Sequence, residues 1–258
     1  MKSINNKIAL TIILIFILGT SAYADETIRL ATGEWAPYQS EKLVKGGFIT
    51  DMITDIFAAE GINVELGYFP WNRSIELAKK GNWDGTFIWF DTAERRTDFY
   101  ISDPVVDIKY VFFQRKDFQF NWNSVEDLTD VMIGATLGYE FGGEDFKNAE
   151  ESGKIKVNRV YSDLQGMKNL LQGRIQIFPC DMLVGYELIE NNFTPEQRQL
   201  ITHHKKPVKA APHHLLLSNK VKQNQRLIKI FNKGLKKLKA TGEYEKYFER
   251  FRQGKYKK

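Results

Sequence analysis

Two arginines stand side by side in DTAERRTDFYISD, residues 91–103, just ahead of a Phe-Tyr-Ile run that reads as buried sheet. Arginine is rarely buried without a partner, so Arg95 and Arg96 either both reach water or one is held indoors to meet an anion. The guanidinium suits that task because its planar fork matches a carboxylate and its charge is never lost by deprotonation. Asp181 ends the apolar segment GRIQIFPCD, where a carboxylate serves equally to cap a helix over 182–190. The four histidines come as two adjacent pairs, His203-His204 and His213-His214. Neighbouring residues diverge on a strand or helix, so a shared metal is not expected, and the pairs read as surface or hinge residues. No Ser-His-acid order, metal-ligand spacing or phosphate-cradling glycine loop is present, so neither metal nor cofactor is expected.

Whatever these residues meet, a folded scaffold must place them. The stretch MKSINNKIALTIILIFILGTSAYA, residues 1–24, has early lysines, an apolar run and small residues at its end, as a secretory leader does. The run is shorter than the roughly 20 apolar residues of a membrane span. Removal of the leader leaves 258 − 24 = 234 residues; it takes two of the 37 basic residues and none of the 32 acidic ones, so the net charge falls from +5 to +3. That length fits one large or two small domains. The sole cysteine, Cys180, lies far from the cleavage point, which argues against a lipid-modified N-terminus and against an internal disulfide. Basic residues are mostly interleaved with acids, so nucleic acid is not an expected partner.

Periodicity then gives the elements. TIRLAT (27–32) alternates as a strand, and Ile49, Met52, Ile53, Ile56 and Phe57 form the stripe of an amphipathic helix ended by Gly61. NVELGYF (63–69) is a strand, Asn72 an expected N-cap for a helix through Lys80, and GTFIWF (85–90) an apolar strand. VVDIKYVFF (105–113) leads into a second series: Ser124 with Asp127 as a capping box, strands VMIGAT (131–136) and IKVNRVY (155–161), a helix ending at Gly173, and a strand RIQIF (174–178). HHLLLS (213–218) is a last strand, followed by two helices broken at Thr241-Gly242. Two βαβ series predict an α/β chain of doubly wound layers.

Five stretches, in order, resemble one known family: GEWAPY followed by GGFITDMITDIF, GNWDGTFIWFDTAERRTDFYISDPV, IGATLGYEF, LLQGRIQIFPCD and NKGLKKLKATGEYEKYF. The resemblance is to family 3 of the bacterial extracellular solute-binding proteins, periplasmic receptors that deliver polar amino acids and similar solutes to ABC importers. It implies two doubly wound α/β lobes joined by two hinge strands, the type II periplasmic binding protein arrangement. Lobe 1 would comprise residues 25–112 plus 212–258, and lobe 2 residues 113–211. The ligand would sit between them, engulfed by lobe closure.

The resemblance also gives site residues. Thr92-Ala93-Glu94-Arg95 ahead of Ile101-Ser102 puts Arg95 where the family takes the ligand carboxylate, leaving Arg96 to solvent; the alternative is a salt bridge from Arg95 to Glu94 or Asp98. Asp181 falls where an acid receives the ligand's α-amino group. Trp35 and Trp71 fall at the aromatic walls, with a core role as the alternative, and Arg73 is a second candidate anion contact. Two departures bear on the ligand. Ile88, Trp89 and Phe90 stand where small hydroxyls are usual, and Tyr139 and Glu140 where a threonine commonly donates; a carboxylate at Glu140 would repel a ligand carboxylate unless Arg95 and Arg73 offset it or the ligand carries extra positive charge, and the alternative is that Glu140 points away into solvent. The expected function is a periplasmic binding protein without catalysis, monomeric, with a small-molecule ligand and the membrane permease of an ABC importer as partners. A dehydratase-like enzyme on this fold and a soluble sensor docking on a membrane receptor are the alternatives.

Overall fold

The computed structural model describes residues 26–137 and 142–258. The leader at residues 1–24 and the candidates Tyr139 and Glu140 lie outside these. In chain order the strands and helices are β1 (Glu26–Thr32), α1 (Phe48–Ala58), β2 (Ile62–Tyr68), α2 (Trp71–Lys79), β3 (Gly85–Trp89), β4 (Phe99–Ile101), β5 (Val106–Arg115), β6 (Met132–Thr136), α3 (Glu144–Glu151), β7 (Lys156–Val160), α4 (Asp163–Leu171), β8 (Ile177–Asp181), α5 (Met182–Asn192), α6 (Pro195–Arg198), β9 (Ile201–His203), β10 (Lys209–Ser218), α7 (Asn224–Thr241) and α8 (Glu243–Arg252).

The strands follow the path β2-β1-β3-β10-β5-β8-β6-β7, with β4 on β10 and β9 on β5. β1 runs parallel to β2 and β3, and β6 parallel to β7 and β8, as βαβ crossovers require. Only β5 and β10 belong to both halves. Val106–Tyr110 of β5 lie antiparallel to Lys209–His213 of β10. Beyond that ladder β5 pairs with β8 and β9, while β10 turns to β3 and β4. The result is two α/β lobes joined by two crossing strands.

The apolar stripe of α1 is buried as its spacing predicts: Phe48, Ile49, Met52, Ile53, Ile56 and Phe57 are all within the core. Against it pack the aromatic residues of α8 and of the chain end, with Phe248 and Phe251 at 5.1 and 5.2 Å from the Phe48 ring. Polar pins fix the same contact. Tyr247 donates to Asp55 at 2.8 Å, and Tyr256 donates to the buried Asp51 at 2.7 Å. The chain therefore returns its last two helices to the lobe that it began.

Three expected boundaries move. The last strand, expected at 213–218, begins at Lys209, because Lys209–His213 pair with β5. The helix expected to be capped by Asn72 begins at Trp71, with Pro70 at the cap position; the Pro70 carbonyl accepts from the N–H groups of Arg73 and Ser74, and the Ser74 hydroxyl donates to the Thr32 carbonyl at 2.9 Å. Proline's fixed φ is already suited to that entry, so no side-chain cap is needed. The strand expected at 174–178 is Ile177–Asp181 instead. The end of α4 uses the preceding residues: Gly173 is left-handed at φ 72°, Arg174 N–H bonds the Asn169 carbonyl, and Ile175 turns into the core. The ladder starts only after that cap is complete. The elements α3, α6 and β9 were not anticipated from periodicity, being short or weakly patterned.

Lobe 2 is held at close range by glycine. A Cβ on Gly185 of α5 would lie 2.3 Å from ring carbons of the buried Phe113 on β5. Alanine has about 1 kcal/mol more helix propensity than glycine, while overpacking costs about 1–3 kcal/mol. Because Phe113 is fully buried and has no room to yield, the packing term wins. Gly185→Ala is expected to lower unfolding free energy by about 1–2 kcal/mol in urea titration. A more stable variant would show that the spacing of α5 and β5 is slack.

Candidate functional site

The carboxyl ends of the parallel strands converge on the crossing ladder, where an open α/β sheet offers its crevice. From lobe 1 come the turn after β1, with Trp35 and Tyr38, the start of α2, with Trp71, and the end of β3, with Trp89 and Phe90. Lobe 2 contributes Asp181 at the end of β8. The ladder itself contributes Tyr110 and His213. Rings connect them: Trp35 lies 5.1 Å from Tyr38, 6.0 Å from Trp71, 6.5 Å from Tyr110 and 6.2 Å from His213, and Trp71 lies 5.2 Å from Trp89. Gly33 permits this closeness, since a Cβ there would sit 2.4 Å from the Trp71 indole.

A bulge aims the end of β3. His214 pairs with Trp89 and Leu215 with Phe87, so Ile88 is the extra residue, and its φ is +65°. A β-branched residue is strongly disfavoured there, and such strain concentrates at functional sites. Ile88 is buried and held in place by the core. After the bulge the Phe90 ring lies 4.1 Å from His213, with Lys209 Nζ 4.1 Å from its centre.

Arg95 is half-buried. Its guanidinium carbon lies 4.8 Å from the centre of the Trp89 ring, Nη1 donates to the Phe90 carbonyl at 2.8 Å, and its own N–H donates to the Thr92 hydroxyl at 3.2 Å. Arg96 is exposed and ion-paired with Asp91. Asp98, named above as an alternative partner of Arg95, takes Lys79 at 3.0 Å. Arg73 is exposed and lies over Phe69, 5.3 Å from that ring's centre. Beside Trp71 a hollow of about 390 Å³ is lined by Glu34, Glu41, Tyr68, Phe69 and Pro70.

Asp181 is only 1 % exposed. It caps α5, accepting from Val184 N–H at 2.9 Å, and it also accepts the Tyr38 hydroxyl at 3.1 Å from each carboxylate oxygen. The second bond crosses from lobe 1 to lobe 2. Burial raises the Asp181 pKa to about 6, although the bonds from Val184 and Tyr38 pull it down. Burial likewise raises the Tyr38 hydroxyl and the Cys180 thiol next to it. His213, 2 % exposed, is pushed down to about 4 by burial, with His214, Lys209 and Arg95 adding to the effect. Its Nδ1 lies 3.1 Å from the Ala211 carbonyl, which places the ring proton there and leaves Nε2 as an acceptor. His214 points the other way, with Nδ1 2.7 Å from the Ser102 carbonyl. The pair at 213 is thus divided as expected for a strand, and both members are buried rather than at the surface. The Trp35 indole N–H is buried and has no acceptor among the described residues.

The structure brings Arg95, Trp35, Trp71, Phe90 and Asp181 into one connected cluster, leaves Arg73 at its edge, and does not describe Glu140. Sequence reasoning missed Tyr38, Tyr110, His213 and the Ile88 bulge. Tyr38 ends the quoted GEWAPY and Tyr110 has the inward parity of β5, so both had a signal. The bulge had none.

Residues 28–254 match the profile of the bacterial extracellular solute-binding proteins, family 3. No curated protein sequence matches significantly. Among solved structures, an ancestral arginine-binding protein bound to arginine is 23 % identical with a TM-score of 0.68, covering 87 % of this chain and 97 % of its own. A histidine kinase sensor domain similar to periplasmic binding proteins is 18 % identical with a TM-score of 0.69, covering 87 % and 95 %. An ancestral amino acid-binding protein, a precursor of cyclohexadienyl dehydratase, is 22 % identical with a TM-score of 0.65, covering 87 % and 94 %. These likenesses carry the fold, and the profile match spans nearly the whole chain: it belongs to family 3 of the bacterial extracellular solute-binding proteins.

Proposed function

We propose that the chain is a periplasmic binding protein that captures a small charged solute, an amino acid or a close relative, between its lobes and passes it to an ABC importer. One observation carries this reading: a guanidinium and a buried carboxylate, Arg95 and Asp181, stand at two ends of one aromatic cluster beside the crossing strands. Such a pair is complementary to a zwitterion. Arg95 takes the carboxylate, and Asp181 exchanges the Tyr38 hydroxyl for the ligand's ammonium. Ionised in a dry site, Asp181 needs that compensation. Trp35 and Trp71 form the walls, the Trp35 N–H offers a donor, and Phe90 with His213 closes the floor. Arg73 is a contact at the rim. The hollow with Glu34 and Glu41 continues from Trp71, which favours a ligand whose other end is cationic. The proposed lobes are 25–112 plus 212–258 and 113–211, since β5 and β10 change sheets near Tyr110 and His213. In this reading residues 1–24 serve as an export leader, and the chain meets the importer's permease in the periplasm. Among the described residues no helix is long and apolar enough to cross a membrane.

A thermal-shift screen over amino acids, polyamines, oligopeptides and organic acids tests the reading. Ligand at about 100 times its dissociation constant stabilises by about 2.7 kcal/mol, a shift of roughly 5–10 °C for a chain of this size. Cationic amino acids are expected to rank first. Arg95→Ala is expected to cost about 2–5 kcal/mol of binding in calorimetry, some 30-fold or more in affinity. Undiminished affinity in a normally folded variant removes Arg95 from the site. Consumption of the best ligand during the assay would replace binding by catalysis.

Titration gives a second test. Asp181 rises from 3.8 to about 6 on folding, so the folded chain holds a proton that the unfolded chain has released, and stability is lost as pH climbs through that window. His213 falls from 6.5 to about 4, so the unfolded chain holds the extra proton and stability is gained over the same range. Each is worth about 3 kcal/mol at most, and they oppose. Relative to the parent, Asp181→Asn is expected to gain unfolding free energy between about pH 4 and 6, and His213→Gln to lose it. Parallel pH profiles for all three proteins would show that neither group titrates from a buried position.

A further inference from the structure

The charge of this chain is concentrated on one element that the cleft does not use. Residues 219–242 hold eight lysines and arginines and no acid; without them the 37 basic residues of the chain become 29, against 32 acidic ones. The net positive charge therefore resides in and around α7. Its buried residues, Asn224, Leu227, Ile228, Phe231 and Leu235, face lobe 1. On the opposite side Arg226, Lys229, Lys233, Lys236 and Lys237 are exposed and, at 100° per residue, fall within an arc of about 100°. Arg226 is paired with Glu26. Lys229, Lys233, Lys236 and Lys237 have no carboxylate within ion-pair distance among the described residues. From Arg226 to Lys237, eleven rises along α7, this makes a basic stripe about 17 Å long.

We infer that this stripe docks the protein electrostatically on an anionic phospholipid surface. The chemistry of the stripe selects lipid over a protein partner. Protein interfaces are anchored by Trp, Tyr and Arg and are poor in Lys. Here four of the five charges are lysines, and none of the large exposed apolar residues among those described, Val44, Leu137, Tyr161, Tyr186 and Leu200, lies on α7. Compact hydrated ammonium groups in a row suit a diffuse layer of phosphate headgroups, to which each nearby Lys adds favourably. With no apolar wedge, the helix adsorbs without inserting. The inference stands whatever solute the cleft takes.

The test uses residues 25–258, which contain every described element, and flotation with vesicles of phosphatidylcholine alone or with roughly 30 % phosphatidylglycerol. Binding is expected only to the anionic vesicles, and it should vanish as the Debye length shrinks from about 30 Å at 0.01 M salt to about 3 Å at 1 M. Replacing Lys229, Lys233, Lys236 and Lys237 together by Gln is expected to weaken binding by about a hundredfold or more. A control with Lys116, Lys147, Lys156 and Lys168 changed to Gln carries the same net charge and is expected to bind nearly as the parent does. Equal losses in both variants reduce the effect to net charge and overturn the assignment. No binding by the parent at low salt, or capture by an acidic protein or polyanion but not by vesicles, overturns it as well.

Discussion

The antiparallel ladder between Val106–Tyr110 and Lys209–His213 is the constraint on which the site depends. It is the only sheet connection between the lobes among the described residues, so the angle between them is set by a two-stranded ribbon and by contacts outside it. Two of those contacts are polar side-chain pairs. The Tyr38 hydroxyl on Asp181 is buried, whereas Lys257 and Glu187 meet at 3.8 Å with the lysine half in water. An exposed ion pair contributes little, so the tyrosine bond is the stronger restraint. Tyr110 and His213 lie within the ladder itself, and a hinge moves least at its axis. In the proposed lobe closure the floor of the site would stay fixed while its walls approach or part.

The aromatic walls determine the electrostatics. Rings remove water from around Asp181 and His213 without supplying counter-charge, which is why the acid is raised and the base is lowered. Both shifts favour neutral forms. Near pH 7 His213 is neutral, while Asp181, raised only to about 6, is still mostly ionised and is held by Tyr38 and Val184 in place of water. On the proposed reading, a ligand ammonium would supply Asp181 with the counter-charge that its buried position lacks. The Ile88 bulge serves the same arrangement: a left-handed β-branched residue is costly, yet it turns Trp89 under Arg95 and Phe90 onto His213 in consecutive positions, which regular strand alternation does not allow.

What was legible in the sequence followed from period and punctuation. β1, α1, β2, β3, β5 and the paired helices α7 and α8 each have several turns or pleats of regular pattern, and Gly173 and Gly242 end helices in the left-handed form that their residue type allows. The Ser124 capping box is also formed. β8 was misplaced by three residues because RIQIF alternates as well as IFPCD does, and the priority of the α4 cap is a tertiary fact. Asp181 shows two readings reconciled, for one oxygen caps α5 while both accept Tyr38. The cross-lobe contacts of Tyr38, Tyr110 and His213 join residues far apart in sequence, and no local pattern announces them.

The arrangement of lobe 1 separates two electrostatic tasks. In the cleft, charges act over hydrogen-bond distances in a dry setting, where salt has little access. On α7 they act through water and are screened within about 10 Å at 0.1 M salt. The helix is bound rigidly to lobe 1: Asn224, fully buried, donates to the carbonyls of Asp84 and Ser218 at 2.7 and 2.8 Å, and Leu227, Phe231 and Leu235 are in the core. A surface held by α7 thus holds lobe 1 alone. Lobe 2 meets lobe 1 through the β5–β10 ribbon and, among the described residues, also through Tyr38–Asp181 and Lys257–Glu187, none of which lies on α7, so the proposed anchorage does not compete with the proposed capture.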